Sequence, residues 1–235
     1  MRRALRAIRG LFIVAVIAAI GAVIYMATVW NPGMPELLVA RVNRIATAHG
    51  GYTPLDKIPN FLQRAVIATE DRSFYQNDGI DFEGIARALV VDAIHMKPVQ
   101  GASTITEQLV KDIFLTDNKT IQRKLKQIAL AVMISKSMSK NEVLSLYLNE
   151  VYLGNGAYGV GQAAELYFGR NISQLSPAQC ALLAGLPQAP SAYDPLIHLA
   201  MAKQRQWEVL ESMVSAHDLS QAAAAAIAKA PLYLE

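Results

Sequence analysis

In the stretch Gly101-Ala102-Ser103-Thr104-Ile105-Thr106-Glu107-Gln108-Leu109-Val110-Lys111, Thr104 and Glu107 stand three residues apart, directly ahead of Leu109 and Val110. That is the spacing of a capping box, in which a hydroxyl and a carboxylate satisfy the free amides of a helix start. A glycine-led turn therefore gives way to a helix at Thr104. Upstream, Leu62, Ala65, Val66 and Thr69 recur at intervals of three and four and predict a helix from Asn60 to about Glu70. Another is predicted over 82–94. Downstream, 120–137 reads as a longer helix, and Ser139 and Glu142 repeat the capping-box spacing before Val143, Leu146 and Tyr147. Ser176-Pro177 puts a proline at a first helical position, and two more helical runs cover about 197–215 and 220–229. Residues 31–49, interrupted by Pro32 and Pro35, read as a stalk with short extended pieces. The fold class is mainly α.

Residues 10–30 carry no charge, while Arg2, Arg3, Arg6 and Arg9 lie on one side of them. A helix rising about 1.5 Å per residue over that length matches a hydrocarbon layer of about 30 Å. The pattern predicts a cytoplasmic basic tail at 1–9, one transmembrane anchor at 10–30 and an exterior domain at 50–235. The formal charge of the 235 residues is +3, but beyond Asn31 there are 18 basic and 19 acidic residues. The basic balance thus belongs to the N-terminus, and nucleic acid is not a predicted partner. The single cysteine, Cys180, excludes an internal disulfide and reads as packing within Gln-Cys-Ala-Leu-Leu-Ala.

Chemistry concentrates around Ala68-Thr69-Glu70-Asp71-Arg72-Ser73-Phe74. Two adjacent carboxylates at a helix end can be given different environments, one as proton acceptor and one turned to local donors. A solvated helix end with Asp71 paired to Arg72 accounts for the same letters. The helix start at Thr104 is either an ordinary N-cap or a place where backbone donors meet a phosphate or sugar oxygen. Lys119, Arg123, Lys124 and Lys126 form a cationic group, either a hydrated basic face or a diphosphate site.

Taken in order, these segments resemble the peptidoglycan glycosyltransferases, the family of monofunctional transglycosylases and of the first catalytic domain of bifunctional penicillin-binding proteins. Glu70-Asp71-Arg72-Ser73-Phe74 with Asp78-Gly79 is similar to the first motif of that family, and Gly101 to Gln108 to its second, Gly-Gly-Ser-Thr-Ile-Thr-Gln-Gln. Arg123-Lys124-Leu125-Lys126-Gln127 stands at the third, normally Arg-Lys-x-x-Glu, and Ser139 to Gly154 resembles the fourth. Gly159 to Ala164, Tyr167-Phe168-Gly169 and Ala181 to Pro190 extend the likeness over roughly 50–230.

The resemblance implies a lysozyme-like helical lobe with a smaller membrane-facing jaw between Phe74 and Pro98, preceded by the single span. Its implied activity is inverting polymerisation of lipid II into β-1,4-linked glycan, with release of polyprenyl diphosphate. Glu70 is the implied catalytic base, and Gln127 occupies the position of a second family glutamate. Asp71, Phe74, Ser103, Thr104, Gln108, Lys111, Lys119, Arg123, Lys124, Glu142, Tyr152, Asn155 and Gln162 are the implied substrate or diphosphate contacts. Glu142 serves equally well as a helix cap. Implied partners are lipid II, the lipid-linked growing glycan, the cell membrane and other cell-wall synthases, with Mg2+ or another divalent cation as cofactor and no organic one. The implied location is the bacterial cytoplasmic membrane, single-pass, with the catalytic domain on its outer face. Gln127 is the main departure, because an amide carries no charge and exchanges no proton at neutral pH. It leaves open a catalytically impaired lipid II-binding scaffold, and a lytic transglycosylase is a further alternative. Ala102, Glu107 and Asn77 are lesser departures, Asn77 standing where the family usually has histidine.

Overall fold

The computed structural model describes residues 21, 28, 31–85, 103–115 and 120–235. Its α-helices are α1 Met34–Ala48, α2 Asn60–Glu70, α3 Ile105–Phe114, α4 Ile121–Ser137, α5 Lys140–Glu150, α6 Val160–Phe168, α7 Pro177–Gly185, α8 Leu199–Ser215 and α9 Gln221–Lys229. Short 3-10 turns cover Leu55–Lys57, Ile172–Gln174 and Leu186–Gln188. Extended pairing among the described residues is limited to one antiparallel bridge between Tyr152 and Tyr158. The mainly α class stands.

Two helices are buried on every side. In α5 each residue from Val143 to Glu150 is buried, and in α7 each from Ala178 to Gly185. Over these stretches neither turns a face to solvent, so other helices must surround both. α1, α3 and α6 pack on α5, while α2, α8 and α9 pack on α7. Leu62, Ile105, Leu109, Leu130, Tyr147 and Tyr167 are among the largest side chains sealed inside, each aliphatic one contributing roughly 1.5–3 kcal/mol by leaving water. Cys180 is fully buried, and burial pushes its thiol up to about 12, consistent with a packing role.

Helix starts follow the sequence closely. Thr104, Ser139 and Ser176 each cap a helix through a complete capping box, and Thr120 and Ser220 cap α4 and α9 through their hydroxyls. In α5 the buried Asn149 accepts from the Thr53 amide at 2.7 Å and donates to the Thr53 carbonyl at 2.9 Å. This pins the chain entering α2 to the central helix. The predicted helix over 82–94 is helical at 82–85, and 86–102, which includes most of the expected jaw, lies outside the described residues.

Two expectations are corrected. Much of 31–49, read as short extended pieces, is the helix α1: Pro35 sits in its first turn, where proline lacks no needed hydrogen bond, and Leu38, Val42 and Ala46 are buried. Against the predicted transmembrane helix and the single-pass membrane location built on it, no helix among the described residues is long and apolar enough to cross a membrane. α1 has 15 residues and an amphipathic pattern turned to α5, short of the about 20 apolar residues that a span requires. The stretch 10–30 lies outside the described residues except for Gly21 and Thr28.

Candidate active site

Glu70 is the last residue of α2, and its neighbour Asp71 leaves the helix with φ −159°. That turn sends the two carboxylates in different directions. Asp71 is buried and accepts from the Ile105 amide at 3.1 Å, from Asn77 Nδ2 at 2.9 Å and from Ser73 Oγ at 3.3 Å. Burial still pushes its carboxyl above the ordinary range, against the lowering effect of those donors and of Lys140. Its surroundings make it the joint between α2 and the start of α3.

Glu70 keeps a side chain 13% exposed. Gln108 Nε2 donates to Glu70 Oε2 at 2.8 Å, and Gln108 Oε1 in turn accepts from Tyr147 Oη at 3.2 Å. Arg205 Nη2 stands 4.0 Å from Glu70 Oε1, while its own Nε donates to the Gly185 carbonyl and its Nη1 to Glu208. Burial raises the Glu70 pKa, and Gln108, Arg205 and Lys111 oppose the rise without cancelling it. A carboxylate in this state is aimed, held and a better proton acceptor than one in water.

A cationic group lies along α3 and α4. Lys124 Nζ donates to Glu107 Oε1 at 2.6 Å and to Ser103 Oγ at 3.3 Å. Arg123 Nη1 donates to Gln127 Oε1 at 3.4 Å, and Gln127 Nε2 donates to the Glu107 carbonyl at 2.9 Å. Lys111, on α3 one turn beyond Gln108, pairs with Asp112 at 2.8 Å and remains 40% exposed. Lys119 lies outside the described residues. The structure therefore gathers Glu70, Gln108 and Lys111 along α3, with Ser103, Lys124, Arg123 and Gln127 beside the same helix.

Other implied contacts are occupied by the fold. Thr104 Oγ1 donates to the Gly79 carbonyl at 2.7 Å and accepts from the Glu107 amide at 3.1 Å. Gly79 has φ +90°, and a Cβ there would meet the Ala131 carbonyl oxygen at 2.4 Å, so this crossing needs glycine. Phe74 is fully buried beneath Lys140, whose Nζ lies 4.9 Å from the ring centre. Glu142 is exposed and closes the capping box on Ser139, which holds its carboxyl below the usual range. Asn155 donates to Asp194 at 3.0 Å, and Gln162 accepts from the Tyr158 amide at 2.8 Å. Tyr152 is 40% exposed and its ring meets that of Tyr158 at a 45° tilt, centres 5.0 Å apart.

Comparison with known proteins bears directly on this arrangement. The profile of the family described as Transglycosylase matches residues 38–214. The chain belongs to that family, the peptidoglycan glycosyltransferases. A "Putative transglycosylase" of Cupriavidus necator is 46% identical over 170 residues, covering 72% of this chain and 73% of that protein. Penicillin-binding protein 1A of Aquifex aeolicus is 47% identical over 163 residues, 69% of this chain and 22% of that protein. The crystal structure of penicillin-binding protein 1A from Haemophilus influenzae is matched over 79% of this chain and 18% of that chain, at 25% identity and a TM-score of 0.48. The chain thus spans about a fifth of the length of these two penicillin-binding proteins. Membership in the peptidoglycan glycosyltransferases supports a glycosyl-transferring enzyme in general.

Among the described residues no group of three or more His, Cys, Asp or Glu side chains is placed to hold a metal ion. The implied divalent cation has no ligand set there, and no step below is routed through one. Arg205, Tyr147, Asn77, Lys140 and Glu107 are site residues beyond those the sequence singles out. Glu107, Asn77, Lys140 and Tyr147 carry a signal in their places within or beside the quoted motifs, whereas Arg205 reaches the site from a distant segment.

Proposed function

We propose that the chain is an inverting peptidoglycan glycosyltransferase that joins a lipid-linked growing glycan, as donor, to lipid II, as acceptor. Glu70 accepts the proton of the acceptor N-acetylglucosamine 4-hydroxyl while that oxygen attacks C1 of the donor N-acetylmuramic acid. The C1–O bond to the polyprenyl diphosphate breaks on the opposite face, so an α linkage becomes a β-1,4 bond and the diphosphate departs with the bonding pair. Lys111, Arg123 and Lys124 balance the charge gathering on it. Gln108 holds the base in one rotamer before substrate arrives. The observation that carries this reading is the Glu70 carboxylate, mostly buried, raised in pKa by that burial and fixed by Gln108 at 2.8 Å.

The test is Glu70→Gln, assayed for polymer from lipid II and, in parallel, for lipid II binding. The amide keeps the volume and the partner at Gln108 but accepts no proton. Polymerisation is expected to fall by at least about 100-fold with binding retained. Unchanged polymerisation would remove Glu70 as base. A parent protein that binds lipid II without making polymer would be a scaffold, and one that shortens preformed glycan would be lytic.

A further inference from the structure

We infer that Glu107 is a positioning residue: its buried carboxylate fixes the Lys124 ammonium beside the start of α3, the task of a charge that residue 127 does not carry. The inference rests on the proposed reading of Lys124 as a diphosphate contact. Glu107 is 0% exposed. One oxygen accepts from the Thr104 amide at 3.0 Å and the other from Lys124 Nζ at 2.6 Å.

Capping alone does not explain a carboxylate at this place. The same chain builds an equivalent capping box at Ser176 with a buried amide, Gln179, whose Oε1 accepts from the Ser176 amide at 2.9 Å. A neutral side chain therefore suffices for that task. A carboxylate stripped of water is costly unless a cation answers it. At position 107 the answering cation is Lys124.

The pairing restricts Lys124 in turn. A lysine ammonium has three N–H donors. Glu107 takes one and Ser103 Oγ, at 3.3 Å, takes a second, while the side chain stays 43% exposed. The third donor is left on the open side, fixed in direction because the other two are fixed. A cation held in this way meets a developing negative charge without first reorganising.

Gln127 explains why the charge stands on α3 rather than α4. It is buried, and its Nε2 donates to the Glu107 carbonyl at 2.9 Å, tying the two helices together. A carboxylate at 127 would turn an acceptor toward that carbonyl. The amide at 127 and the carboxylate at 107 thus divide two tasks, one binding helix to helix and the other aiming a cation.

A double-mutant cycle tests this, using Glu107→Gln, Lys124→Gln and the two combined in the full chain, with kcat and KM for lipid II polymerisation and Glu70→Gln as the blank. Glu107→Gln is expected to lower kcat by about 10-fold with KM changed less than about 2-fold, and to add nothing once Lys124 is already glutamine. A kcat within about 2-fold of the parent, or losses that multiply in the combined variant, would overturn the inference. Urea unfolding provides a second readout that is independent of activity. Lys124→Gln, which leaves the Glu107 carboxylate buried without a cation, should be less stable than the parent, and the combined variant, which leaves no buried charge, should recover most of that loss. A deficit that the combined variant does not recover refutes the pairing. An inactive parent would defeat the glycosyltransferase reading and this role with it, whereas an active parent indifferent to Glu107→Gln defeats this role alone.

Discussion

Glu150→Gln should stabilise the protein, and increasingly so as the pH rises. Glu150 closes the buried helix α5, is 4% exposed, and its Oε2 has no hydrogen-bond partner. Burial, reinforced by the nearby charge of Asp112 and opposed by Lys111, pushes its carboxyl from an ordinary 4.5 to about 8. Between those values the folded protein keeps a proton that the unfolded chain gives up, so stability from this group is fully present below the unfolded value and is lost as pH rises through the folded one. At about 1.4 kcal/mol per pH unit, the loss is about 1 kcal/mol at pH 5, about 3 kcal/mol at pH 7 and about 5 kcal/mol above pH 8. Glutamine has no proton to lose and escapes this dependence, whatever constant offset its amide introduces. The assay is urea denaturation of parent and variant at half-unit steps from pH 5 to 9, comparing midpoints at unchanged slope. Two curves that run parallel across that range would show that Glu150 is already ionised in the fold, and the reasoning would fail.

Asp71→Asn is expected to lower stability by about 2–4 kcal/mol in the same assay, because an amide can satisfy at most part of the donor set formed by Ile105, Asn77 and Ser73. An unchanged midpoint would show that the joint between α2 and α3 does not depend on the charge. Glu142→Ala removes an exposed capping side chain and should cost at most about 1 kcal/mol, reduced by solvent screening. Since Ser139 holds that carboxyl low, the contribution is present at neutral pH and disappears as the pH falls through the acid range. A loss of several kcal/mol would mean that Glu142 has partners beyond its cap.

The features legible in the sequence were local ones. The capping boxes at Thr104 and Ser139 are three-residue relationships, and each appears where its spacing puts it, as does the helix start at Ser176-Pro177. α1 is hidden in the sequence because Pro35 reads as a breaker, whereas in a first turn proline favours the helix. Glu70 stood out through its motif, yet the groups that tune it did not: Arg205 lies 135 positions away and reads as an ordinary residue of an amphipathic helix. The pattern of α5 concealed its position, since Ser145, Asn149 and Glu150 suggest a wet face although all three are buried. Asn149 is satisfied there by the Ser145 carbonyl one turn back and by Thr53, the latter a partner that no local spacing announces.

Glu70 and Asp71 are consecutive, and both reach across to α3, one to the Gln108 side chain and the other to the Ile105 main chain. Backbone and hydrogen bonds thereby close a small ring that passes through both carboxylates and a single turn of helix. A closed linkage of this kind has almost no slack: α2 and α3 cannot slide or rotate past one another without breaking a member. The position of Glu70 is thus set within its own neighbourhood, and distant repacking can proceed without moving it. Because the Asp71 strut grips an amide rather than a side chain, the Ile105 side chain can be recruited to the core while its backbone carries the strut.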